Sequence, residues 1–273
     1  MLQRIIFGAL YAIGAILLFL FGTPEVVCIV VGLMVLGGLY EFFNAVGFLK
    51  NKKIPVVIST VFSVAMMIAV YVTGGWSSAW ISAILWYYIA IMTVYMVTVF
   101  NSVTFTDVAV AVVGTCYVTL FPMNIYLLRL DENYGKLYIW LPFIIAWLTD
   151  TMAYFSGRFF GKNKLIPDVS PKKTVEGAVG GILGAVLIMV VYLFICEKYF
   201  GIFPKYINGI VSAVILSFFA QFGDLVASCI KREHGIKDFG SLVPGHGGIL
   251  DRFDSVIFIA PMVYILVQCG LIF

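Results

Sequence analysis

Polar residues come too rarely along most of this chain to trace the three-and-four spacing of an amphipathic helix or the strict alternation of a half-buried strand. What repeats instead is an apolar run closed by a charge or by turn residues, at about 5–21, 26–46, 54–73, 77–100, 107–128, 137–156, 176–196, 208–229 and 253–273. Each run is close to the roughly 20 residues that a helix needs to cross a hydrocarbon core about 30 Å thick. The pattern predicts an all-α, polytopic integral membrane protein with about nine transmembrane helices. No internal repeat or low-complexity linker divides it, so residues 1–273 are expected to form one membrane domain.

Composition agrees with that picture. Of 273 residues, 62% are apolar and 11% charged, against roughly 45–50% and 25% in a soluble domain. A large soluble domain is excluded, the net charge of +3 is too small to argue from, and no nucleic-acid partner is expected. Cys28, Cys116, Cys196, Cys229 and Cys269 stand singly in apolar segments, without the spacing of a zinc or redox site, and read as small hydrophobes. The first run follows Arg4 and ends in Gly22-Thr-Pro-Glu25 with no Ala-x-Ala-like cleavage site, so a retained first span is expected.

Charge placement sets the orientation. With the N-terminus cytoplasmic, Arg4, Lys50, Lys52, Lys53, Arg158, Lys162, Lys164, Lys172, Lys173, Lys231, Arg232, Lys237 and Arg252 share that side, 13 of the 17 cations. Only Arg129, Lys136, Lys198 and Lys205 fall opposite. The bias predicts an N-terminus inside and a C-terminus outside, in a cell inner or plasma membrane. Residues 150–176 and 224–254 hold 17 of the 31 charged residues in 58 positions, on the cytoplasmic face. Two solvated basic loops would set topology equally well, but they have no use for the interleaved Asp and Glu. Charges at headgroup level are instead read as paired or functional.

The stretch from Ser228 to Asp254 packs cations, a Gly-rich turn and spaced carboxylates together, each suited to a polyphosphate. Asp251 and Asp254 are three apart, so a helix starting near Leu250 puts them on one face, where they can hold Mg²⁺ beside phosphate oxygens. Asp224, near the cytoplasmic end of the eighth run, is a third metal candidate and Asp150 in the sixth a fourth. The alternative for each is a helix-end charge paired with Lys or Arg. Gly245-His246-Gly247-Gly248 would let backbone amides approach a phosphate at a helix N-terminus, with His246 as a phosphate donor or a plain loop residue. His234 is read as solvated. Upstream, Ser170-Pro171 resembles an N-cap followed by proline at the first helical position, which would set Lys172, Lys173 and Thr174 at the positive end of the seventh helix.

These residues carry a resemblance. Ser228, Lys231, Arg232, Lys237, Asp238, His246, Gly247, Gly248, Asp251, Arg252 and Asp254 resemble, position by position, the signature of the phosphatidate cytidylyltransferase family. Ser170-Pro-Lys-Lys-Thr-x-Glu-Gly177 and the segment from Asp150 to Lys162 resemble it too. The match covers roughly residues 140–260, so 141–273 is expected to be the catalytic half and 1–140 to supply helices of unassigned role.

The resemblance implies transfer of a cytidylyl group from CTP to phosphatidic acid, giving CDP-diacylglycerol and pyrophosphate, with Mg²⁺ required. Asp224, Asp251, Lys231, Arg232 and Asp254 would be catalytic. Ser170, Lys172, Lys173, Thr174, Lys237, Asp238, His246, Gly247, Gly248 and Arg252 would bind substrate. Asp224 and Asp251 would hold the metal, with Asp150 and Asp254 as further ligands, and the surplus of carboxylates admits a second cation. Membrane lipid is the expected surrounding and a homodimer the family-level expectation. A carrier would place its charges near mid-span rather than at one face. An alcohol phosphotransferase using CDP-diacylglycerol resembles a different motif, Asp-Gly-x-x-Ala-Arg, that is absent here.

Overall fold

The computed structural model describes residues 13–241 and 247–273. Among them, seven helices are long and apolar enough to cross a membrane, and the protein is a polytopic, largely helical membrane protein. Of the run expected at 5–21, residues 5–12 lie outside the described residues and 13–21 are helical. The run expected at 253–273 forms a helix over Leu250–Gln268, which carries Asp251, Arg252 and Asp254 near its start and is not among the seven.

Two compact units result. The first combines the residues up to Glu132 with Asp238–Arg252. It contains α1 (Pro24–Ala45), the short α2 (Phe48–Asn51), α3 (Lys53–Thr73), α4 (Ala79–Thr98) and α5 (Phe105–Arg129). Proline at the first position of α1 behind an N-capping Thr23, and a capping box of Thr104 with Asp107 at α5, explain where those helices begin.

Inside this unit a ladder of hydroxyls ties α3 to α4 and α5. Ser59 meets the Tyr88 hydroxyl at 2.8 Å, which donates to Ala111 O, and Ser63 meets Thr119 at 2.7 Å. Trp76 Nε1 donates to Asn124 Oδ1 at 2.9 Å. Between apolar helices surrounded by lipid, such bonds and close packing replace the hydrophobic drive that water would supply.

The second unit holds Asn133–Lys237 and Phe253–Phe273. Its elements are α6 (Gly135–Tyr138), α7 (Trp140–Phe160), β1 (Lys164–Ile166), β2 (Ser170–Thr174), α8 (Val175–Phe200), α9 (Tyr206–Glu233) and most of α10 (Leu250–Gln268). β1 and β2 pair antiparallel. Helices α7 and α8 approach closely because α8 turns Gly177, Gly180, Gly181 and Gly184 toward α7. A Cβ at Gly180 would run into Ser156, at Gly184 into Met152, and at Gly181 would lie 3.0 Å from Thr149 O. Large apolar side chains remain outside, Phe203 and Ile207 among the most exposed at 85% and 78%. Apolar surface of that extent is stable only against lipid.

Candidate active site

The charged segments of the second unit converge on a cavity of about 310 Å³. α7 lines it with Asp150, Tyr154 and Arg158, the hairpin with Leu165, Lys172 and Lys173, and α9 with Gln221 and Asp224. Thr174, Gly177 and Ala178 close it where the hairpin becomes α8. The central contact is an ion pair: Lys173 Nζ lies 2.6 Å from Asp224 Oδ2 and also donates to Gln221 O at 3.3 Å. Gln221 is itself buried and donates from Nε2 to Ala178 O and Ser217 O. Arg158 donates to the Tyr154 hydroxyl at 3.1 Å.

The hairpin is held to the start of α8 by one carboxylate. Glu176 accepts from the backbone amides of Lys162 and Asn163 at 3.1 and 3.2 Å and from Asn163 Nδ2 at 2.8 Å. Val175 N donates to Asn163 O at 3.0 Å. The loop that presents Lys172 and Lys173 is thereby closed at its base.

This local structure corrects the expected helix start. Ser170 and Pro171 do not open a helix; they lie in β2, where a two-stranded hairpin is all edge and tolerates a residue with no N–H. The N-cap is Thr174, extended at φ −126°, ψ 155°, whose hydroxyl accepts from Gly177 N at 3.1 Å. Lys172 and Lys173 therefore reach the cavity from a strand. Lys172 is exposed, whereas Lys173 is half-buried.

The acids also lie further from the helix ends than expected. Asp150 is ten residues before Phe160, the end of α7, or roughly 15 Å at about 1.5 Å per residue. Asp224 is nine residues before Glu233, the end of α9. Asp150 is within electrostatic reach of Asp224 and Lys173, and Asp254 of Asp224, Asp150 and Lys231. Lys231 is buried at 7% exposure, while Arg232, which donates to Ile236 O, and Lys237 are exposed. Among the described residues no three or more His, Cys, Asp or Glu side chains converge to hold a metal ion by themselves.

The rest of the signature belongs to the first unit. Asp251 Oδ2 accepts from Phe239 N at 2.8 Å and Gly248 N at 3.0 Å, while Asp238 and Arg252 are exposed. Gly247 has φ +86°, a conformation side chains disfavour. His246 and Gly245 lie outside the described residues. Of the expected phosphate cradle, the described residues show one amide already engaged. Gly248 N is taken by Asp251, and the next two amides, Ile249 N and Leu250 N, are taken by Glu41.

Sequence reasoning passed over Glu41, and it gave no role to Glu176 within the upstream motif. The signal for Glu41 was available, an acid that ends an uncharged run from Val26 to Tyr40 in an apolar helix. Lys52, read as a plain topology cation, forms an ion pair with Asp107 and donates to Ser102 O. All five cysteines are free thiols.

Comparison with known proteins adds a family. A model of the cytidylyltransferase family matches residues 2–270. The phosphatidate cytidylyltransferase of Staphylococcus haemolyticus (strain JCSC1435) is 43% identical over 176 residues, 64% of this chain and 65% of that protein. That of Bacillus subtilis (strain 168) is 40% identical over 179 residues, 65% of each. That of Staphylococcus aureus (strain COL) is 36% identical over 241 residues, 88% of this chain and 89% of the relative. The match thus spans just under two thirds of the first two relatives and most of the third.

Proposed function

Because this chain belongs to the cytidylyltransferase family, matched over residues 2–270, we propose that it transfers CMP from CTP to phosphatidic acid in the membrane. The products are CDP-diacylglycerol and pyrophosphate. The observation that carries the proposal is the cavity in which Lys173 and Asp224 form an ion pair beside Lys172, Arg158 and Asp150. Relatives named phosphatidate cytidylyltransferase, 36–43% identical to this chain, support the choice of acceptor.

The chemistry needs no side-chain nucleophile. An oxygen of the lipid phosphate attacks the α-phosphorus of CTP, and the bond from that phosphorus to the β-bridging oxygen breaks to release pyrophosphate. Both reactants are anionic, so the protein's task is alignment and charge neutralisation. Lys173 and Asp224 hold each other in the structure. In the proposed cycle the ammonium exchanges the carboxylate for phosphate oxygens, with Lys172 and Arg158 at the rim of the same cavity. Gln221 and the Glu176 clamp keep Lys173 in reach of that exchange.

Mg²⁺ remains part of the proposal, with Asp224 and Asp251 as its carboxylates, as the signature implies. The residues fit a hard cation in their donor type: within the second unit the carboxylates of Asp150, Asp224 and Asp254 lie within electrostatic reach of one another. Mg²⁺ keeps waters and takes substrate oxygens, so it does not require a complete protein cage. When bound, it would neutralise triphosphate charge and orient the leaving group. The carboxylate surplus admits a second cation. The site is proposed to face the cytoplasm, where CTP is found.

The test is an incubation of detergent-purified protein with CTP and phosphatidic acid, with and without Mg²⁺ and chelator, read by mass spectrometry of the lipid fraction. CDP-diacylglycerol that requires both substrates and disappears with chelator is expected. A folded preparation that forms none contradicts the proposal.

A further inference from the structure

Glu41 is buried at 1% exposure, in a helix without another charge from Val26 to Tyr40. Burying a carboxylate is costly unless hydrogen bonds replace its hydration. Here both oxygens are used: Oε1 accepts from Ile249 N at 2.9 Å and Oε2 from Leu250 N at 3.0 Å. These amides open α10, and the first amides of a helix have no partner within it. Gly240 and Gly248 press against the carboxylate from two sides, and a Cβ at either position would collide with it. One residue on, Asp251 takes Phe239 N and Gly248 N with its own Oδ2. Two acids therefore secure three successive amides of one turn, and Asp251 also ties that turn to Phe239.

We propose that Glu41 is a positioning residue, which fixes the turn carrying Asp251 by holding the first amides of α10. The inference rests on the transferase reading and gives the N-terminal helices a task that reading leaves open. A carboxylate is specifically required. Glutamine keeps the size but supplies one acceptor oxygen and an NH₂ group, and that NH₂ would face an N–H donor. Aspartate keeps two acceptors on a shorter stem.

The experiment pairs amide hydrogen exchange with turnover on the detergent-purified chain. Peptides covering 247–254 and steady-state kinetics with CTP and phosphatidic acid are compared for wild type, Glu41→Gln, Glu41→Asp and Glu25→Gln. Glu25, exposed at the other end of α1, serves as control. Glu41→Gln should exchange at Ile249 and Leu250 about tenfold faster or more and lose about tenfold or more in kcat, since hydrogen bonds to a charged group are lost. KM for CTP should stay within about twofold, because the residue touches no substrate. Glu41→Asp should fall between, and Glu25→Gln should match wild type. Should Glu41→Gln not fold, Glu41→Asp and Gly248→Ala carry the same comparison.

Wild-type exchange in Glu41→Gln would overturn the proposal. So would faster exchange with undiminished kcat, which would leave Glu41 a merely structural cap. A wild-type chain that exchanges slowly at 249–250 but makes no CDP-lipid would remove the transferase reading and the positioning role with it, while leaving the Glu41 contact intact.

Discussion

Lys173 shows how much a single contact adds to a sequence motif. Sequence alone treats Lys172 and Lys173 as equals, whereas the structure pairs only Lys173 with Asp224 and Gln221 O. Charge-assisted hydrogen bonds of this kind are worth about 1.5–3 kcal/mol, so Lys173→Ala should lower turnover roughly tenfold to a hundredfold. Lys53→Ala should leave turnover near wild type. Lys52 is a poor comparator, because its ion pair with Asp107 ties the junction of α2 and α3 to the first turn of α5. Asp224→Asn and Asp251→Asn should each nearly abolish turnover, since a neutral amide does not replace an anionic ligand of a hard cation. Glu233→Gln, an exposed change, should retain most of it. Steady-state assays of these variants check the set, and equal losses at Lys173 and Lys53 would mean that a topology signal has been mistaken for a site. The acidic and basic residues themselves were legible from their density in two short segments. The partners of Glu41 were not, because they lie more than 200 positions away and are backbone amides.

At the scale of elements, the apolar runs give the described helices to within a few residues, because lipid imposes length and polarity directly. The β1–β2 hairpin was not legible. Ser170–Thr174 has no alternation, and Ser-Pro before a long apolar run is also how a helix begins. What decides is Glu176, which holds the amides at the base of the loop and leaves Thr174 to cap α8. The glycine face of α8 has consequences of its own. Gly180→Ala should destabilise the fold by about 1–3 kcal/mol, as overpacking does, because the new methyl meets Ser156 Oγ and Cβ. Ser156→Gly in the same chain should restore much of that loss. Thermal unfolding in detergent reads both, and an unchanged midpoint for Gly180→Ala would contradict the close packing of α7 on α8.

For the whole molecule, the cation bias predicts a direction that the helices alone do not fix. Cysteines introduced at Lys53 and Lys237 should resist an impermeant thiol reagent applied outside intact cells, whereas one at Lys136 should react. The reverse pattern would invert the topology and remove the site from its CTP supply. The central claim is a transfer with a defined point of bond cleavage, and the position of a label tests it most directly. Purified protein is given phosphatidic acid and CTP carrying ³²P at either the α or the γ position. α-Label is expected in the lipid fraction and γ-label in pyrophosphate, both lost in Asp224→Asn. Label from the γ position in lipid, or no label in lipid with a folded wild-type protein, would contradict it.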